Sequence, residues 1–331
     1  MIELNGQALD NLPLGELTWK RDLLYFEGPL LSEFVSDKNE CYLKYWCDCD
    51  SQYNRWMLFK VKEQDRLRLV LGEKSLLQVI ESQPDHYVFI SDEGTNQSIY
   101  SLLNSQSIPE QYLPEPDSFL DIEDYVEDEN ITSLVFEDQW DFEELKNIYR
   151  KFTQVYDFLF VTNSFSSSSG DAMPWQGGFS SVHFYNKIRN LIPNQSTSKL
   201  HAIHYASPGY MKMTTDNAFG EIALNAIEHY KENKHGVDRC YLDLQNIIRE
   251  LDLNNMTPSN AVSAFSSDQN CQNLYRNLVN NLSGVTLSWF DSYAENDFER
   301  CKIAMAHVRR LRQFTNFLIE KNVRVVSSLI S

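Results

Sequence analysis

The sequence predicts an α+β protein of two domains. A small antiparallel β-rich N-terminal domain is followed by an acidic linker and a mainly α-helical C-terminal domain containing a β-hairpin. Three observations predict this. Apolar and polar residues alternate through much of the N-terminal third, the period of half-buried strands. From position 141 onward, apolar residues mostly recur every three to four positions, the period of amphipathic helices. Between these regions, residues 113–144 hold 13 acids and no base, a block that repels itself and resists packing. Pro114 and Pro116 stop regular structure at its start. The domains are therefore placed at 1–117 and 133–331, with the linker over 118–132.

In the first domain, residues 23–35 read as two strands around the Gly28-Pro29 turn. Residues 41–49 alternate and are rich in β-formers, and 53–61 follow after Asp50-Ser51, which suggests an antiparallel meander. Residues 61–80 have helical spacing, broken at Gly72. Residues 86–91 and 97–103 read as a closing hairpin with Glu93-Gly94 in its turn.

In the second domain, 141–160 is a helix capped by Asp141 with acids in its first turn. Residues 163–178 read as a loop, 179–192 as a helix ending before Pro193, and 199–214 as two strands around Ser207-Pro208-Gly209. Helices follow. Phe219, Ile222, Ala223, Ala226, Ile227 and Tyr230 form the stripe of one; Tyr241, Leu244, Ile247, Ile248 and Leu251 form that of the next. A segment from Thr257 has Pro258 at its first helical position. Residues 270–282 and about 292–322 complete the set, the last with Phe298, Cys301, Met305, Val308, Leu311 and Leu318 on one side.

Four motifs in the first third are Pro29-Leu30-Leu31-Ser32, Tyr42-Leu43-Lys44-Tyr45-Trp46-Cys47-Asp48, Arg55-Trp56-Met57-Leu58 and Leu113-Pro114-Glu115-Pro116. Over residues 15–120 their order resembles an uncharacterised bacterial domain-of-unknown-function family. The resemblance implies a bacterial, cytoplasmic protein encoded among phage-defence or other mobile genes. It transfers no catalytic residue.

Composition excludes several function classes. Of 331 residues only 12 are Gly, which leaves little for phosphate-cradling loops, and no G-x-x-x-x-G-K-[ST] is present. The N-terminal residues show neither the basic region nor the apolar run of a secretory signal. No stretch approaches 18 consecutive apolar residues, so no membrane span is expected. Cys41, Cys47, Cys49, Cys240, Cys271 and Cys301 are read as reduced thiols of a cytoplasmic protein.

Candidate chemistry is sparse. Cys47 and Cys49 form a C-x-C beside Asp48 and Asp50, with Cys41 upstream, but zinc needs a second ligand pair that the sequence lacks. His201 and His204 form H-x-x-H, which a strand would split between its two faces. The Ser166–Ser169 run lacks a nucleophile elbow. Trp175, on the glycine-containing loop, is a candidate partner anchor. No strand carries the grouped carboxylates of a metal nuclease. No metal site and no cofactor is expected.

The basic face of the last helix is the most suggestive feature. Lys302, Arg309 and Arg312 fall within one arc beside the apolar stripe, and Arg310 projects from another side. This arc could meet an acidic protein surface or grip phosphates, or it could be a solvated flank whose Arg stems cover the core. The net charge of −18 works against nonspecific nucleic-acid binding. The expected function is a non-enzymatic interaction subunit of a bacterial complex with a protein partner, its own copy or another chain. Alternatives are a nucleic-acid sensor or effector using the basic helix, and an enzyme of unrecognised type built around His201, His204 or the 163–178 loop.

Overall fold

Alternation in the N-terminal part becomes seven strands. They are β1 (Gln7–Leu9), β2 (Leu17–Tyr25), β3 (Pro29–Ser36), β4 (Cys41–Cys49), β5 (Tyr53–Lys60), β6 (Tyr87–Gly94) and β7 (Ser98–Asn104). The structure is a computed structural model that describes residues 3–25, 28–49, 53–82, 87–94, 98–120, 131–138, 140–164, 181–285, 294 and 296–327. The fold is α+β, and the chain divides into two units, 1–127 and 128–331, within the acidic segment.

The first unit is one antiparallel sheet of order β1-β7-β6-β5-β4-β3-β2. From β2 to β7 it is the meander the alternation predicts, and β1 adds an edge too short to show a period. Helices α1 (Glu63–Val70) and α2 (Leu76–Glu81) lie between β5 and β6. Gly72, at φ +72°, breaks the helical run, because a left-handed turn there favours a residue without Cβ. Ser75 and Gln78 then open α2 with reciprocal bonds: Ser75 Oγ accepts from Gln78 N, and Gln78 Oε1 accepts from Ser75 N. Both helices pack on one sheet face, where Leu69, Leu76, Val79 and Ile80 join Leu43, Met57, Phe59, Val88 and Ile90 in one core.

A charged network sits in this apolar layer. Glu33, fully buried, lies opposite Leu43 on the helix-covered face. It pairs with Lys20 at 3.1 Å, Arg21 at 3.4 Å and the buried Arg66 of α1 at 3.5 Å. Arg66 also meets Glu63 at 3.1 Å.

The second unit contains β8 (Ile131–Phe136), α3 (Phe142–Ser164), α4 (Ser181–Arg189), β9 (Lys199–His204), β10 (Gly209–Thr214), α5 (Asn217–Glu250), α6 (Pro258–Ser267), α7 (Gln269–Asn280), α8 (Asp297–Glu320) and β11 (Val323–Ser327). The expected β9–β10 hairpin is half of a four-stranded antiparallel sheet of order β11-β8-β10-β9. Every residue of β8 is buried, although it lies inside the acidic segment. Ile131 and Thr132, assigned by sequence to the linker, begin this strand, because an apolar run is driven into the core whatever charges flank it. At the linker's other end, Ser118 O accepts from Leu76 N and Phe119 packs on the first core.

The two stripes read as separate helices over 219–251 join in α5. It departs from helical geometry at Asn233, whose Nδ2 donates to His229 O at 3.0 Å and competes with the helical ladder. Helices α3, α5 and α8 surround the apolar core through Phe152, Phe158, Ile227, Leu244, Leu311 and Phe314. Tyr156 fixes α3 within it: its hydroxyl donates to Ser196 O at 2.8 Å and accepts from Asp216 N at 3.0 Å.

Replacing Glu33 with Ala removes the buried carboxylate from Arg66, whose pairing with the half-exposed Glu63 remains. The expected loss is on the order of 3 kcal/mol in the first unit, read by urea unfolding of the full chain. A loss below about 1 kcal/mol would show that the network does not hold the layer.

Candidate functional site

The structure sorts the basic residues of α8 into two groups. Lys302 pairs with Glu299 one turn back at 2.9 Å and lies 4.5 Å over the Phe298 ring. Arg312 donates from Nε and Nη2 to Asp238 Oδ1 at 3.0 and 2.8 Å and stacks 4.6 Å over Tyr241. The same Asp238 oxygen accepts from Tyr230. These two cations are therefore engaged by the protein's own carboxylates. Arg309 and Arg310 are not: both are half-buried, and neither has a carboxylate within 4.0 Å among the described residues. Trp175 and the Ser166–Ser169 run lie outside the described residues.

Arg309 and Arg310 meet α3 and α4 in a cluster of incompletely satisfied polar groups. The Arg310 guanidinium lies 4.5 Å over the ring of Tyr185. The Tyr185 hydroxyl and the Nε atoms of both arginines are buried without a hydrogen-bond partner. Loss of solvent holds the Arg310 guanidinium below its ordinary pKa, opposed by Tyr185 and reinforced by Arg309 and Arg150. Burial pushes the Tyr185 hydroxyl up, so it stays a neutral donor. One turn toward the start of α8, His307 is fully buried with both ring nitrogens unpartnered and stacks on Phe158 at 4.0 Å. Asp157 is also buried, with Arg189 at 3.8 Å. Leaving such groups unpaired costs about 1–3 kcal/mol each. Sequence reading named Arg309 and Arg310 but missed Tyr185, His307 and Asp157, which three helices bring together and no local spacing connects.

The other sequence candidates resolve differently. Burial pushes the Cys41 and Cys47 thiols up to about 12, with Glu33 adding for Cys41, so both stay protonated. Among the described residues no group of three or more His, Cys, Asp or Glu side chains could hold a metal ion. His201 and His204 are exposed on β9, an edge strand, and His201 falls at a break in the β9–β10 register.

The first unit's sheet carries an aromatic face that sequence reading did not assemble. Its register aligns Trp46, Trp56, Ser91 and Tyr100 across β4 to β7, and Trp19, Phe34 and Tyr42 across β2 to β4. These lie opposite the face covered by α1 and α2, and none belongs to either apolar core. Trp19 is 56% exposed. Lys44 lies 4.6 Å over Trp56 and pairs with Glu93 at 2.7 Å. Alternation places every second side chain on this face, so the row was implicit once strand register was known.

No family model, curated protein or solved structure matches the chain. Among the described residues no helix is long and apolar enough to cross a membrane.

The cluster predicts an acid sensitivity of known sign. Burial, with Arg310 adding, pushes the His307 pKa down to about 3 from its ordinary 6.5. Its stability contribution is full above pH 6.5 and is lost as pH falls toward about 3, because only the unfolded state takes up the proton. Asp157 acts oppositely: burial, opposed by Arg189, pushes it up to about 7 from 3.8, withdrawing stability as pH rises through that window. Urea unfolding of His307→Leu and wild type is therefore expected to show the variant gaining relative stability from about pH 7 down to about pH 4. A pH-independent difference would show that His307 is not held neutral.

Proposed function

We propose that this chain is a non-enzymatic protein-interaction subunit of a bacterial cytoplasmic complex serving anti-phage defence, with the first unit as its recognition module. The observation that carries this reading is the aromatic face of the seven-stranded sheet. Trp and Tyr supply large contact area at low entropic cost and dominate the energetic centres of protein interfaces. Trp19, Trp46, Trp56 and Tyr100 share one face of the sheet, on the side away from α1 and α2, with Trp19 exposed and the other three partly buried. Trp56 Nε1 is buried without an acceptor. The bacterial and defence setting rests only on the sequence resemblance read over residues 15–120. The pairing of Lys302 and Arg312 with carboxylates, together with the net charge of −18, favours a protein over a nucleic-acid partner.

The test is affinity capture of the full chain from its native host, wild type beside Trp19→Ser combined with Trp46→Ser, with folding checked by circular dichroism. A stoichiometric protein partner is expected with wild type, reduced at least about tenfold with the folded variant. A solitary wild-type chain, or capture that survives both substitutions, would overturn the reading.

A further inference from the structure

We propose that the junction of α3, α4 and α8 binds a compact phosphate-bearing small molecule, gripped by Arg150, Arg309 and Arg310 above the ring of Tyr185. The proposal stands apart from the aromatic face, which belongs to the other unit.

Charge placement is the first argument. The chain carries 47 acids against 29 bases, so carboxylates are plentiful. They are used on Arg55, Arg66, Arg300, Lys302 and Arg312. Arg309 and Arg310 are adjacent on one helix and half-buried, and Arg150 approaches from α3 closely enough for its charge to act on Arg310. Among the described residues, none of the three has a carboxylate within 4.0 Å; Arg150 bonds only the Asn147 side chain, at 3.3 Å. Three guanidinium groups in mutual repulsion are stabilised when an anion enters among them.

Unused donors are the second argument. The Arg309 and Arg310 Nε atoms and the Tyr185 hydroxyl are buried without acceptors, and Tyr185 is only 7% exposed. Guanidinium forks match the oxygens of a phosphate in charge and geometry, and a neutral phenol adds a donor without adding charge. The stacked Arg310–Tyr185 pair, at 4.5 Å, holds one fork in place before the ligand arrives.

Size follows from what surrounds the cluster. Along α8, Lys302 and Arg312 are closed by Glu299 and Asp238, and on α4 Arg189 is drawn toward Asp157. Lys151, beside Arg150 on α3, adds a further cation whose charge acts on the cluster. Among the described residues the excess charge therefore gathers at this junction and is not laid out as a row along α8, as a nucleic-acid backbone would need. A phosphate, a pyrophosphate or the phosphates of a nucleotide fit that extent.

Titration calorimetry of the full chain with pyrophosphate and with ADP tests this. One site is expected, weakened at least about tenfold by Arg310→Gln and by Arg150→Gln, the latter an exposed position that leaves folding undisturbed. Tyr185→Phe, which keeps the ring, is expected to weaken it severalfold, and Arg312→Gln to leave it unchanged. Equal affinity for the two ligands would assign the site to the phosphates alone, and tighter ADP binding to a nucleotide. Absence of binding, binding indifferent to Arg310→Gln and Arg150→Gln, or binding of a single-stranded oligonucleotide without pyrophosphate would each overturn the proposal.

Discussion

The second unit is organised around six residues that must be buried on both faces. The strand β8, Ile131–Phe136, is the inner strand to which both β10 and β11 bond, and all six of its residues are buried. A backbone in that position has no water to bond, so each N–H and C=O must find a strand beside it. That requirement brings in β10 from the middle of the sequence and β11 from beyond α8. It also fixes the close approach at Gly209, opposite Phe136, where an added Cβ would collide with the Phe136 ring and meet Ala206 O at 2.6 Å. The aromatic packing of Phe136 on Trp140, and of Trp140 on Phe317 of α8, ties the helices to the same strand.

The two units treat buried charge differently. In the first, Glu33 and Arg66 are taken out of water together, with Lys20, Arg21 and Glu63 completing the network, so burial is balanced by partners. In the second, Arg309 and Arg310 have no carboxylate within 4.0 Å among the described residues, and they sit with Tyr185 and His307 in one cluster of buried, unpartnered atoms; the first unit's Trp56 Nε1 lies apart from its charged network. Residual imbalance of this kind concentrates where a protein meets something else, because a site fully satisfied by itself has nothing left to offer.

Much of this was legible in the sequence, and the omissions have physical causes. Strands β3 to β7 are legible in the sequence, and Gly72 marks its helix break because its backbone needs positive φ. Strand β2 begins at Leu17, six residues before its expected start, and Glu93 and Gly94, expected in the hairpin turn, instead end β6 in register with Asn54 and Tyr53. Strand β8 was hidden by its neighbours: a reading based on net charge sees the acids around it and not the apolar run they enclose. Strand β11 was hidden by proximity, since its valines follow the helix α8 after two residues and extend its apolar pattern. For the sites, local sequence reveals that α8 is basic but not which cations are spoken for. The Glu299–Lys302 pair is local, whereas Asp238 reaches Arg312 only through tertiary packing. Tyr185, Asp157 and His307 sit on three helices, so no window of sequence contains their association.

The strand pairings also set an order of events during synthesis. In the first sheet almost every strand bonds to its neighbour in sequence, with β1–β7 the exception, so the meander can close while later residues are still being made. The second sheet has no such freedom. Val323 pairs with Phe136 and Ser327 with Thr132, so β8 leaves the ribosome long before its second partner exists. During that interval an apolar strand with an open edge is exposed beside a finished N-terminal domain, the state most open to mispairing and to capture by chaperones. The acids on either side of β8 put charge next to this apolar run, the placement that opposes pairing between like strands.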